Sequence, residues 1–173
     1  MNALLPTLEF EIQSETIENY GSLVRGDQIA VEGSIMGTTY YHHGIYLGDE
    51  KVADFGGDGK WGVKPRIVSI DELTHHRKRK LVRINYMSGC CVSNENAAKN
   101  AETLVKDPDS WGSYHLLLNN CEHFATRCKT ERATSRQVGQ EVMECIFNPA
   151  KLIKYLLVAP FAGSQSASGS TSS

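Results

Sequence analysis

Tyr41-His42-His43-Gly44-Ile45-Tyr46-Leu47-Gly48-Asp49-Glu50-Lys51-Val52-Ala53-Asp54-Phe55 carries the most regular pattern in the sequence. Two β-rich runs, Tyr41 to Leu47 and Lys51 to Phe55, flank the turn composition Gly48-Asp49-Glu50, so the segment reads as a hairpin. Strand side chains alternate between faces, so His42 and His43 point in opposite directions. His43 shares its face with Ile45 and Leu47, which read as core. His42 shares the other with Gly44 and Tyr46, a smaller and more polar surface suited to a site. If Gly48, Asp49 and Glu50 form a three-residue loop, Leu47 pairs with Lys51 and Gly44 faces Asp54. Asp54 then lies diagonally from His42 on one face, within reach for long side chains. A two-residue loop would instead move Asp54 to the face of His43.

Outward from the hairpin, Arg25-Gly26-Asp27 is a turn signal and Gln28 to Glu32 reads as a strand, followed by a loop from Gly33 to Gly37. The first twenty residues carry no strong pattern, and residues 1–24 read as a loosely packed lead-in. On the C-terminal side, Arg66 to Ile70 and Lys80 to Asn85 supply two more β-rich runs. The period then changes. Ala97, Ala98, Ala101, Leu104 and Val105 recur at helical spacing between Asn94 and Lys106, with Ser93 or Asn94 as cap and Pro108 beyond the end. A second helix starts near Asn119-Asn120 and runs through Phe124, Ala125 and Cys128. Ser135 caps a third, Arg136 to Phe147, and Asn148-Pro149 opens a fourth up to Ala159. Strands first and helices second predict an α+β fold, a small antiparallel sheet with helices, over residues 25–162. Residues 163–173 are a Ser/Gly tail expected to be disordered.

A chain of 173 residues suffices for one domain with a buried core. Its formal charge of −2 argues against a nucleic-acid partner, which favours distinctly basic chains. The run His75-His76-Arg77-Lys78-Arg79-Lys80 is a local exception and reads as a solvated loop between strands. Five cysteines are an odd number, and Glu9, Glu11 and Glu15 stand where a signal peptide needs apolar residues. The expectation is a reduced, cytoplasmic setting with free thiols. The longest apolar stretch, Leu152 to Ala162, is interrupted by Lys154 and too short for a membrane span. Ala150, Leu152, Ile153, Leu156 and Leu157, beside Lys151 and Lys154, read equally as an interfacial helix or as one packed on the domain's own core.

Cys121 is the candidate nucleophile. In Asn119-Asn120-Cys121-Glu122-His123-Phe124 it falls at an expected helix start, where unpaired N–H groups and the helix dipole stabilise a thiolate and can receive an oxyanion. A small buried hydrophobe is the competing reading, and from position alone it is the stronger. A nucleophile needs a base, and the alternation points to His42, with Asp54 to orient its ring or else to serve as an ordinary surface carboxylate. Cys90-Cys91, His75-His76, His123 and Cys128 lack the paired spacing of zinc ligands, so neither metal nor cofactor is expected. His123 instead suits a role in anchoring the helix through its ring.

His42-His43-Gly44-Ile45-Tyr46-Leu47-Gly48-Asp49 resembles the H-box, and Asn120-Cys121-Glu122-His123-Phe124 the NC motif, of the lecithin:retinol acyltransferase-like family. That family includes the phospholipase A/acyltransferase group linked to HRAS-like suppressors. The resemblance runs from about Asp27 to Val138. It implies a circularly permuted, papain-like (NlpC-type) fold with histidine preceding cysteine. It also implies that Cys121 is the nucleophile, His42 the catalytic histidine and Asp54 the third residue. The family commonly has a second histidine there, but a carboxylate also holds an imidazole tautomer. The implied chemistry is transfer of a fatty acyl group from a phospholipid through an acyl-cysteine thioester, at a membrane surface, by a monomer. Tyr40 and Tyr46 are secondary candidates for hydrogen bonding to substrate. A papain-like peptidase or amidase, or a non-catalytic binding module on the same fold, are the rival functions.

Overall fold

The computed structural model describes residues 12–35, 38–57, 62–112 and 120–131. Six strands form one antiparallel sheet: β1 (Ile12–Thr16), β2 (Gln28–Ile35), β3 (Thr38–Gly48), β4 (Lys51–Gly56), β5 (Lys64–Ser69) and β6 (Leu81–Tyr86), in the order β1-β6-β2-β3-β4-β5. Among the described residues three α-helices accompany them, α1 (Ile70–Leu73), α2 (Asn94–Lys106) and α3 (Cys121–Thr130). The α+β class with an antiparallel sheet is as the sequence indicates.

Both faces of the sheet are covered. On one, Ile45, Leu47, Ala53 and Phe55 pack against Ala98 and Ala101 of α2 and Phe124, Ala125 and Cys128 of α3. The alanines let α2 lie close. Trp111 closes this layer edge-on to Phe55 and Phe124, with ring centroids 6.2 and 5.6 Å away. On the other face, Ile29, Val31, Val52, Val68 and Leu81 pack with Ile17, Leu23, Ile70 and Leu73. Val52, Ala53, Asp54 and Phe55 are therefore all buried, and Asp54 stands at 0% exposure in the middle of the sheet.

The hairpin reaches the expected register by an unexpected route. Gly44 faces Asp54, Ile45 faces Ala53 and Tyr46 faces Val52, but Lys51 pairs with Gly48 rather than with Leu47. The turn has two residues, Asp49 and Glu50, both at positive φ (48° and 55°), as a type I′ turn requires. Leu47 is the extra residue where the register shifts. One residue fewer in the loop and one more in the strand cancel, so parity beyond the bulge is preserved.

Elsewhere the structure moves some bounds. Residues 12–16, expected in the lead-in, form β1 on β6, held by the backbone ladder and by Arg83–Glu15 at 2.8 Å. Gly33 to Ile35, expected as loop, extend β2. The strand expected at Arg66 to Ile70 runs from Lys64 to Ser69, because the Ser69 hydroxyl accepts the Glu72 N–H at 3.0 Å and caps α1. Helix α2 has its expected bounds, capped by Ser93. His75 to Lys78 are exposed and follow α1, with the Arg77 guanidinium 4.8 Å from the Tyr20 ring. The helices expected at 136–147 and 149–159, and the tail from 163, lie outside the described residues.

Candidate functional site

Cys121 is the first residue of α3, and Asn120 is the cap that places it there. The Asn120 Oδ1 accepts the N–H groups of Glu122 and His123 at 3.0 and 3.1 Å. In return, Nδ1 of His123 accepts the Asn120 N–H at 3.3 Å, completing a capping box in which an imidazole replaces the usual carboxylate or amide. Burial lowers the His123 pKa, against the pull of Glu122, which keeps the ring neutral and able to accept. The anchoring role read from the sequence is thus the one His123 has.

The thiol of Cys121 is buried at 6% exposure and donates to the Tyr41 carbonyl oxygen, with sulfur and oxygen 3.8 Å apart. The next residue of β3 is His42, whose ring lies beside Cys121 and hydrogen-bonds Asp54. Its Nε2 lies 2.8 Å from Asp54 Oδ2, which leaves Nδ1 for the sulfur. Burial opposes a charge on this ring. The negative charge of Cys121, the hydrogen bond to Asp54 and that to Cys121 outweigh it and raise the His42 pKa to about 10. The arrangement favours the charged form of the His42 imidazole beside Cys121. Cys128, one face of the same helix further on, is the contrast: burial pushes its thiol up to about 12, as suits a core residue.

His43 points to the opposite face, as the alternation requires. Gln28 Nε2 donates to its Nδ1 at 3.2 Å, and the Tyr86 hydroxyl donates to Gln28 Oε1 at 2.7 Å. Burial lowers its pKa to about 4, with Glu122 opposing and His42 reinforcing the shift. A ring held neutral in a hydrogen-bonded core is structural.

Asp54 has a second partner that sequence reasoning missed. Arg66 lies directly across from it on β5 and donates from Nε to Oδ1 at 3.0 Å and from Nη2 to Oδ2 at 3.4 Å. A fully buried carboxylate needs such compensation. Gly56 makes the room, since a Cβ there would lie 3.1 Å from Asp54 Oδ2 and 3.2 Å from Arg66 Nη2. The other two sequence candidates are not brought to the sulfur by the contacts described. The Tyr46 hydroxyl accepts the Glu50 N–H at 3.4 Å over the hairpin turn, and the Tyr40 ring covers Gly33 on β2. Tyr41, not singled out from the sequence, contributes its carbonyl. Among the described residues no group of three or more His, Cys, Asp or Glu is placed to hold a metal ion, and no helix is long and apolar enough to cross a membrane.

Fold and site together define an α+β protein with a thiol at a helix start beside a histidine–carboxylate pair. Residues 22–134, more than half the chain, match the family model described as lecithin retinol acyltransferase, and the chain belongs to that family. Among similar proteins, lecithin retinol acyltransferase of Bos taurus is 31% identical over 151 residues, covering 72% of this chain and 62% of the bovine protein. The Homo sapiens enzyme of that name is 31% identical over 134 residues, 62% of this chain and 55% of its own length. That of Mus musculus is 29% identical over 134 residues, 62% of this chain and 54% of its own length. The chain thus spans between about half and two-thirds of the length of the curated relatives it matches.

Proposed function

We propose that the protein is a thiol-dependent acyltransferase or phospholipase A that takes a fatty acyl group from a phospholipid at a membrane surface. The observation that carries this reading is the series Cys121, His42, Asp54, with His42 hydrogen-bonded to Asp54 and beside Cys121, in a chain whose relatives are named lecithin retinol acyltransferase. The thiolate of Cys121 attacks the ester carbonyl carbon, and the N–H groups at the start of α3 receive the oxyanion. The carbon–oxygen bond breaks, and the imidazolium of His42 gives its proton to the departing lysophospholipid oxygen. His42, now neutral, takes a proton from water or from an acceptor alcohol or amine, which attacks the thioester and releases the acyl product. The proton ends on His42 and the electron pair on sulfur, restoring the starting pair. Asp54 holds the ring throughout and stabilises its charge.

The test is incubation of the purified chain with phosphatidylcholine vesicles and, separately, with peptide substrates. Lysophospholipid release by wild type and none by Cys121→Ser is the expected result. Cysteine-dependent cleavage of peptide alone would support the peptidase reading, and no turnover of either would support a binding module.

A further inference from the structure

We infer that Arg66 is a positioning residue of this site, holding the Asp54 carboxylate in place and aimed at His42. The inference rests on the proposed roles of Cys121 and His42, and goes beyond them in assigning a fourth member. Three observations converge on it. Arg66 is the direct cross-strand partner of Asp54 and contacts both carboxylate oxygens. Asp54 is fully buried, so water cannot supply the compensation that Arg66 does. Gly56 leaves open the space that the guanidinium and Oδ2 occupy.

The division of labour follows from which oxygen meets which partner. Oδ1 takes the shorter bond from Arg66, while Oδ2, with only the longer 3.4 Å contact to Arg66, faces His42 at 2.8 Å. A planar guanidinium fixes the plane of the carboxylate as a point charge would not. Among the described residues, the charged and titratable groups around Asp54 include His42 on β3, Arg66 on β5, Glu72 of α1 at 3.7 Å from Arg66, and Cys121 of α3. His43 and Glu122 act on the other side of β3. Removing the positive charge of Arg66 raises the proton affinity of every group in the set. The carboxylate is then free to turn away from His42, and every negative charge in the set loses a favourable partner.

The experiment is the rate of Cys121 alkylation by iodoacetamide against pH, read by peptide mass spectrometry, for wild type, Arg66→Gln and Arg66→Lys. Circular dichroism and thermal melting establish folding. The acid limb of the Arg66→Gln profile is expected to move upward by on the order of one pH unit, about a tenfold loss of rate below the limb. Arg66→Lys keeps the charge and is expected to recover most of the shift. Gly56→Ala, which leaves both charges but crowds their contact, should shift the limb the same way by less and serves if Arg66→Gln does not fold. A purely structural Arg66 would lower the melting temperature and leave the limb in place, and that result overturns the inference. Equal shifts in Arg66→Gln and Arg66→Lys overturn it as well. Alkylation needs no phospholipid, so absent lipid turnover beside a shifted limb counts against the proposed substrate and leaves the role of Arg66 standing.

Discussion

His42 Nε2 and Asp54 Oδ2 lie 2.8 Å apart across the β3–β4 hairpin, although the backbone partner of Asp54 is Gly44. The contact is diagonal, and it requires both side chains on one face of two central strands. A carboxylate so placed is shielded from water, and its influence on the imidazole is correspondingly strong.

Asp54→Asn keeps the shape and removes the charge. It should lower phospholipid turnover by about a hundredfold or more, since the amide neither selects the imidazole tautomer nor stabilises the imidazolium. Asp54→Ala should in addition cost about 3 kcal/mol or more in urea melts, because it strips a buried partner from Arg66 and His42. Full activity in both variants would make Asp54 a structural carboxylate only.

The raised pKa of His42, about 10, separates two reactions of one sulfur. Acyl transfer needs the imidazolium to protonate the leaving oxygen, so its rate should fall as pH rises through about 10. Alkylation of Cys121 by iodoacetamide needs only the thiolate and should not fall there. Parallel pH profiles of the two rates check this, and coincident alkaline limbs would contradict it.

The lowered pKa of His43, about 4, makes this ring a source of acid lability. Between about 6.5 and 4 the unfolded chain binds a proton that the folded one excludes, so stability is full above about 6.5 and falls as pH drops toward 4. His43→Asn should be less stable than wild type at pH 7 yet lose less between pH 7 and 4, because it does not titrate. Denaturant midpoints across that range are the measurement. Cys121 alkylation should survive in this variant and fail in His42→Ala.

Gly26 ties the start of β2 to the helical layer. Its φ is +90° and an added Cβ would lie 1.8 Å from the Asn94 carbonyl oxygen, while its own carbonyl accepts the buried Lys129 Nζ at 3.0 Å. Gly26→Ala should therefore cost about 2–4 kcal/mol, read as a lower midpoint in urea with an unchanged slope.

Legibility followed the strength of the local pattern. The alternation of His42, Gly44 and Tyr46 against His43, Ile45 and Leu47 put His42 and Asp54 on one face, where they meet. It survived a wrong loop length only because the bulge at Leu47 restored parity. Ser93 and Asn120 marked two helix starts through their own capping hydrogen bonds. Strand β1 gave no such signal, since residues 13–16 are exposed and carry no apolar face. Arg66 was visible only as a strand residue. Its meeting with Asp54 depends on the register of β5, which the connection from Gly57 to Val63 does not encode. The Tyr41 carbonyl is backbone, and no side-chain pattern announces it.

Whether Cys121 carries the acyl group is read from intact-protein mass spectrometry after brief exposure to phosphatidylcholine vesicles of one defined acyl chain. The expected result is a mass gain of one acyl group, mapped to Cys121 by peptide analysis, discharged by hydroxylamine and absent from Cys121→Ser. A wild-type protein that releases lysophospholipid with no adduct on Cys121 under any quench, or a Cys121→Ser variant that is fully labelled, would contradict it.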